Sequence, residues 1–268
     1  MTSYIPKVLF IPALLLCLVM FFCIRSPYAS LSISPALLEL SLDRGRPSGH
    51  FLITNTGDES VRYRIMASHF TFEDNGNFKM IEPDENSLAE WIKFNPKELS
   101  LPPKSRQQVR FVVVPRGKLR DQVYWGAMEL ESLQPNVVKD SDKQGRVMKL
   151  SIIPAIVVPI FATKGNIKYG FEIKEVSTLS NERGVELKTT ISNIGNGHLR
   201  LMGNYEVADL SGKVKMDGQF AHSYIMPKST VNFTQALPDD LPQGTYTLNV
   251  HCTSKNIEKH ASTEFIVQ

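Results

Sequence analysis

Residues 53–62 read ITNTGDESVR, and residues 191–200 read ISNIGNGHLR. Ile, Ser or Thr, Asn, Gly, an aliphatic residue and Arg recur at identical offsets. Each copy reads as the end of one strand, a tight turn carrying Asn and Gly, and the start of the next strand. Asn can bond its own backbone in such a turn, and Gly tolerates positive φ, so Gly57 or Gly195 is expected to adopt it. Two further fragments repeat in the same order. Pro103-Lys104-Ser105 precedes VRF, and Pro227-Lys228-Ser229 precedes VNF; later, YWGAMEL (124–130) loosely matches TYTLNV (245–250). Three fragments in one order indicate two units of one kind. The division is placed near Thr163 to Asn166, where an apolar run ends at Lys164 and Gly165.

Outward from these turns the apolar period is two, not 3.6. Ala36, Leu38, Leu40 and Leu42 alternate, as do Val61, Tyr63, Ile65 and Ala67, then Val109, Phe111 and Val113. Tyr246, Leu248, Val250 and Cys252 follow the same rule late in the chain. Such runs bury one face and solvate the other. Turn clusters such as EDNGN, SNERG and LSGK separate them, and only SLAEWIKF (87–94) has the pattern of a short helix. The fold class that follows is all-β: two tandem immunoglobulin-like β-sandwich domains after an N-terminal signal segment. The expected units are residues 1–29, 30–163 and 164–268.

The leading segment places Lys7 before an apolar run, VLFIPALLLCLVMFFCI (8–24), which Arg25, Ser26, Pro27, Tyr28 and Ala29 follow. A basic start, an apolar stretch and a small residue near its end describe a secretory signal peptide, with cleavage expected after Ala29. An uncleaved anchor is the alternative, since the run is close to the ~18 residues of a membrane span. Either reading exports the chain. Without Lys7 and Arg25 the 30 basic residues become 28, against 27 acidic ones, which gives no basic footprint for nucleic acid. Of three cysteines, Cys17 and Cys23 lie in the leader, so Cys252 has no intramolecular partner after cleavage. Stability must then come from full-sized cores.

Chemistry is hard to find. The chain has no G-x-S-x-G, no Walker loop, no G-x-G-x-x-G, no H-E-x-x-H and no C-x-x-C. His50, His69, His198, His222, His251 and His260 never fall at paired metal-ligand spacings. Neither catalysis, a cofactor, a metal nor a small-molecule substrate is expected.

Residues 134–161 are more telling. A polar stretch, QPNVVKDSDKQGR, has the composition of a mobile loop and leads into VMKLSIIPAIVVPIF. Met148, Leu150 and Ile152 alternate with Lys149 and Ser151, and beyond Ile152 both faces are apolar. Pro154 and Pro159 cannot donate hydrogen bonds and favour an edge position. An edge strand with spare apolar side chains invites another chain to pair with it, which makes Met148, Leu150, Ile152, Ile156 and Val158 the candidate partner-binding residues. The other reading is that the segment crosses the interface between the two units and is covered internally.

The stretches FNPKELSLPPKSRQQVRFVVVP (94–115) and DQVYWGAMELES (121–132) resemble the amino-terminal domain of the PapD-like periplasmic chaperones. A Pro-rich turn, a Q-x-V-R-like strand and an aromatic-rich strand come in that family's order, and a polar loop before an apolar strand also fits. The resemblance covers roughly residues 30–161. It implies two sandwiches set at an angle, a periplasmic location, and a pilin-like exported subunit as partner, completed by a strand that the chaperone lends. The sequence departs from the family where an Arg and a Lys would anchor the subunit's carboxylate. Those positions fall near Pro35 and around Val157 and Val158, with no basic residue at either. The expected function is a periplasmic chaperone-like protein that binds an exported partner by β-strand addition. The alternative is a structural or adhesive surface protein whose sandwiches act as spacers.

Overall fold

The computed structural model describes residues 31–141, 147–181, 184–220, 223–237 and 241–267. The leader, with its expected cleavage point, lies outside them. The first unit is built from β1 (Leu31–Ser34), β2 (Leu38–Ser41), β3 (Ser48–Asn55), β4 (Val61–Phe72), β5 (Phe78–Ile81) and β6 (Ile92–Asn95). It continues through β7 (Glu98–Leu101), β8 (Arg106–Val113), β9 (Gln122–Ser132), β10 (Asn136–Ser141), β11 (Val147–Ile152) and β12 (Ala155–Lys164). One sheet has the order β1-β3-β8-β6; the facing sheet runs β2-β12-β9-β4, with β7 and β5 pairing successive stretches of β4. Phe51, Ile53, Val109 and Phe111 of the first sheet meet Ile65, Met128, Leu130 and Ile160 of the second in one buried cluster. Full burial of each such side chain contributes ~1.5–3 kcal/mol, so the alternation read from the sequence is what closes the sandwich.

Two local expectations are corrected. SLAEWIKF is not a helix: Trp91 and Ile92 both donate to the Leu88 carbonyl, at 2.8 and 3.0 Å, and β6 begins at Ile92. Continuing the helix would take Phe94 off its pairing with Phe111 on β8. The polar stretch from 134 is not all loop either, because residues 136–141 form β10, paired with β11; residues 142–146 lie outside the described ones.

The second unit contains β13 (Phe171–Asn181), β14 (Gly184–Asn193), β15 (Leu199–Asp209), β16 (Val214–Gln219), β17 (Ser223–Ile225), β18 (Thr230–Ala236), β19 (Gly244–Ser254) and β20 (Ile257–Val267). Its sheets are β13-β14-β18 and β16-β15-β19-β20, with β17 pairing the start of β15. Phe171, Leu187, Ile191, Val207, Leu248, Val250 and Cys252 form its core. Burial pushes the Cys252 thiol up to about 12, which suits a small core hydrophobe.

The repeated fragments adopt the same conformations. Asn55 Nδ2 donates to the carbonyls of Glu59 (2.7 Å), Leu101 and Pro102 (both 3.1 Å), and its Oδ1 accepts from Gly57 N at 2.9 Å. Asn193 Nδ2 donates to Gly197 (2.8 Å) and Ile225 (2.9 Å), and its Oδ1 accepts from Gly195 N at 2.9 Å. Lys104 and Lys228 have φ of 59° and 62°, and the following Ser105 and Ser229 donate back to Pro102 and Met226. Tyr124 and Tyr246 each bond the backbone four residues earlier, at Arg120 and Pro242. That is the tyrosine corner of immunoglobulin-like sandwiches, once per unit.

The glycines behave differently from expectation, since neither Gly57 nor Gly195 is among the residues at positive φ. In both copies the Asn side chain accepts from the Gly N–H and closes the turn without a glycine at positive φ. Gly195 is needed for room instead, because a Cβ there would lie 2.2 Å from the Lys168 carbonyl oxygen.

The second copy of the turn also packs against the first unit. Val123 N donates to Asn196 O at 3.0 Å, and Asn196 Nδ2 donates to Asp121 O at 2.7 Å. The His198 ring stacks on Phe161 at 3.8 Å, with its Nε2 3.1 Å from Glu39 Oε1. The bond to His198 holds the Glu39 carboxyl below its ordinary range. Phe70, Trp125, Ala127 and Phe161 complete this apolar joint with Met226 and, partly buried, Tyr224.

Candidate functional site

β9 and β12 form a hairpin that β10 and β11 prolong beyond the sandwich. β12 pairs β9 antiparallel from Ala155↔Glu131 to Lys164↔Gln122. In the prolongation the register changes, to Asn136↔Ile152 through Ser141↔Val147. Pro154 stands at the change, where its carbonyl accepts from Ser132 N at 3.0 Å. A proline has no N–H for the ladder, so the break in register falls where a donor is missing.

The other edge of β12 is only partly covered. β2 runs parallel to it from Ile160↔Leu38 to Thr163↔Ser41 and stops there. Among the described residues, the backbone of 155–159 is paired on the β9 side alone. Because Pro154 points its carbonyl at β9, alternation turns the backbone groups of Ala155, Val157 and Pro159 outward. Leu42 N donates to Thr163 O at 2.8 Å on that same outer side, in keeping with the alternation. The missing N–H of Pro159 therefore faces outward and interrupts nothing in the β9 ladder. An open edge of this kind is a template for another strand.

The candidate side chains divide along the hairpin. Leu150 is 55% exposed and Ile152 45% exposed. The Met148 side chain lies outside the described ones. Ile156 is half-buried against the core of the first unit. Val158 is a correction: only 1% exposed, opposite Met128 of β9, it belongs to that core and offers nothing to a partner. Even-numbered residues of β12 face inward once β12 enters the sheet, whereas Val157 and Phe161 on its other face join the apolar joint between the units. The described side chains just before Pro154 are thus exposed, whereas those of Val158, Ile160 and Phe161 are covered within the chain. Ile153, which the alternation of 148, 150 and 152 left out, is as exposed as Leu150 at 55%. The change in register frees it, and period-two reading has no signal for such a shift.

The basic residues that flank the segment offer no free anchor in the described structure. Lys164 Nζ lies 3.2 Å from Asp43 Oδ1, and Lys149 has its side chain outside the described ones. Gly165 N also donates to that Asp43 carboxylate, which together with Lys164 holds it below its ordinary range. Gly165 itself has φ of +66°, and a Cβ there would lie 1.9 Å from Asp121 Oδ1, so only glycine turns the chain from β12 into the second unit.

Sequence reasoning missed one other group. His251 and His260, nine residues apart, stand directly opposite each other on β19 and β20, with Glu258 beside them.

No protein-family model matches the chain, and no curated protein sequence does. Solved structures similar to it include the YadV chaperone, at 11% identity over 87% of this chain and 99% of that one, with a TM-score of 0.49. A chain of the CsuC–CsuE chaperone–tip adhesion subunit pre-assembly complex of Acinetobacter baumannii is 15% identical over 87% and 98%, with a TM-score of 0.48. The E. coli chaperone DraB is 13% identical over 89% and 96%, with a TM-score of 0.44.

Proposed function

We propose that this chain is a periplasmic chaperone-like protein that holds an exported, pilin-like subunit by adding a strand to the subunit's sheet. The observation that carries the reading is the combination at one place of an unpaired strand edge and exposed apolar side chains. The edge runs through Ala155–Pro159, and Leu150, Ile152 and Ile153 project just before it. Backbone pairing along the edge would supply affinity without regard to sequence. The side chains would fill gaps in an incomplete partner core and so set specificity. Leu150, Ile152 and Ile153 form an exposed aliphatic cluster on this part of the hairpin, a feature that marks an interaction surface. Absence of the family's basic pair leaves the subunit's carboxylate without its usual anchor, so the strand and its side chains must carry the binding.

The test replaces Leu150 and Ile152 together by Asp. Each change removes apolar burial of ~1.5–3 kcal/mol from the complex before any charge penalty is counted. Capture of a pilin-like subunit, co-expressed and recovered by pull-down, should be abolished while the melting temperature of the free protein stays within a few degrees. A double variant that melts far below the parent would instead favour the spacer reading, in which these side chains hold the protein itself together. Unimpaired capture by a folded variant would refute the strand-addition site.

A further inference from the structure

We propose that His251, Glu258 and His260 form a binding site for a divalent transition-metal ion of the imidazole-preferring kind, such as Zn2+, on the outer face of the second sandwich. The site is a product of register. β19 and β20 are joined through Lys255 and Asn256, with Ser254 opposite Ile257, Thr253 opposite Glu258 and His251 opposite His260. The period of two then puts His251, Thr253, Glu258 and His260 on one face, while Val250 and Cys252 point into the core. Lys255 holds φ of 55° and closes the turn, which fixes the pairing above it.

The three potential ligands converge. Their donor atoms all lie within 4.8 Å of one another, and His251 Nε2 is 3.9 Å from Glu258 Oε2. The two imidazoles lie face to face, with ring centres 4.3 Å apart and planes 7° apart. His251 Nε2 is buried and has no hydrogen-bond partner, an arrangement that buried polar groups rarely keep. At 3.9 Å the Glu258 carboxylate is too far to satisfy it by a hydrogen bond. A bound ion would satisfy it. Ligands on tetrahedral zinc at ~2.0–2.1 Å stand about 3.3 Å from one another, so the three must close by roughly an ångström, and only the exposed Glu258 and His260 need to move. Asn204, opposite His251 on β15, lines the same groove of about 410 Å³ and offers a polar neighbour or room for water.

The donor set selects the ion. Two imidazoles and one carboxylate suit Zn2+, Cu2+ or Ni2+, whereas Ca2+ and Mg2+ require oxygen ligands. Ion binding needs neutral imidazoles and so weakens in acid. A bound ion would clamp the last two strands, the second of which forms the edge of its sheet.

Isothermal titration of the untagged, purified protein with ZnCl2 tests the site directly. One saturable site is expected, with affinity at least tenfold weaker in His260→Ala and in His251→Gln, and no heat of binding from CaCl2. His260 is exposed, so His260→Ala should melt in EDTA as the parent does and decides the question even if His251→Gln folds poorly. No saturable zinc binding, or binding unchanged in folded His260→Ala, would overturn the proposal.

Discussion

Removing the side-chain amide of Asn55 should unlock the first sandwich at one point and leave the second almost untouched. Asn55 is 1% exposed; its two Nδ2 hydrogens are shared among the carbonyls of Glu59, Leu101 and Pro102, and its Oδ1 accepts from Gly57 N. An ordinary intramolecular bond contributes ~0.5–1.5 kcal/mol net, and a buried group left without a partner costs ~1–3 kcal/mol. Water can reach some of the freed carbonyls, so Asn55→Ala should cost about 2–4 kcal/mol. Asn193 makes three bonds of the same kind, and Asn193→Ala should cost slightly less, about 1.5–3 kcal/mol. Trp91 packs against the core of the first unit and Trp125 sits in the joint with the second, so in a Trp125→Phe background fluorescence reports the first unit while far-UV circular dichroism reports both. In urea, with m of ~1–3 kcal/mol/M, the fluorescence midpoint of Asn55→Ala should fall by roughly 1–2 M. Asn193→Ala should lower the circular-dichroism midpoint while shifting the fluorescence midpoint much less. A fluorescence midpoint unmoved in Asn55→Ala, or moved equally by both variants, would refute the account of two equivalent locks.

Two further outcomes follow from buried groups. Burial lowers the pKa of His69 from its ordinary value of 6.5, partly offset by Asp84, whose carboxylate lies 3.1 Å from Nε2. The unfolded chain therefore binds the proton first, so the first unit is fully stable above about pH 6.5 and loses stability as pH falls toward the lowered folded value. A melting series from pH 7.5 to pH 5 should show this loss in the parent and a flatter profile in His69→Gln; parallel profiles would exclude His69 as the cause. Cys252 is 0% exposed with its thiol pushed up to about 12, so a thiol reagent such as DTNB should react with it only on unfolding, and rapid labelling of the native protein would contradict its place in the core.

The sheets were legible because alternation is a direct imprint of a half-buried strand. The duplicated ITN and ISN turns were legible because a buried Asn with a fixed set of backbone partners tolerates little substitution. What the turns look like from outside was not legible. Asn196 and His198 dock on the first unit, whereas the residues at the same offsets in the first copy, Asp58 and Ser60, are exposed. Nothing local distinguishes a turn that meets water from one that meets a neighbouring domain. The candidate edge was found for a similar reason and misjudged for another. Its apolar excess marked a strand with work on both faces, but assigning Val158 to a partner required the register with β9, which is a long-range property. The histidine pair was invisible because metal-ligand spacings learned from helices and short loops do not describe two residues that a hairpin sets opposite each other.

Pro159 gives the open edge of β12 a built-in length. The last outward N–H before it belongs to Val157, and one residue beyond it β2 occupies the edge from Ile160 onward. A visiting strand that zips toward the body of the sandwich therefore loses its last donor where it would collide with β2, and it halts there rather than displacing a native strand. From Ala155 to Pro159 the open edge is 5 residues long, about 17 Å at ~3.3 Å per residue. The same stop denies a second copy of this chain a long, unbroken rail on which to stack.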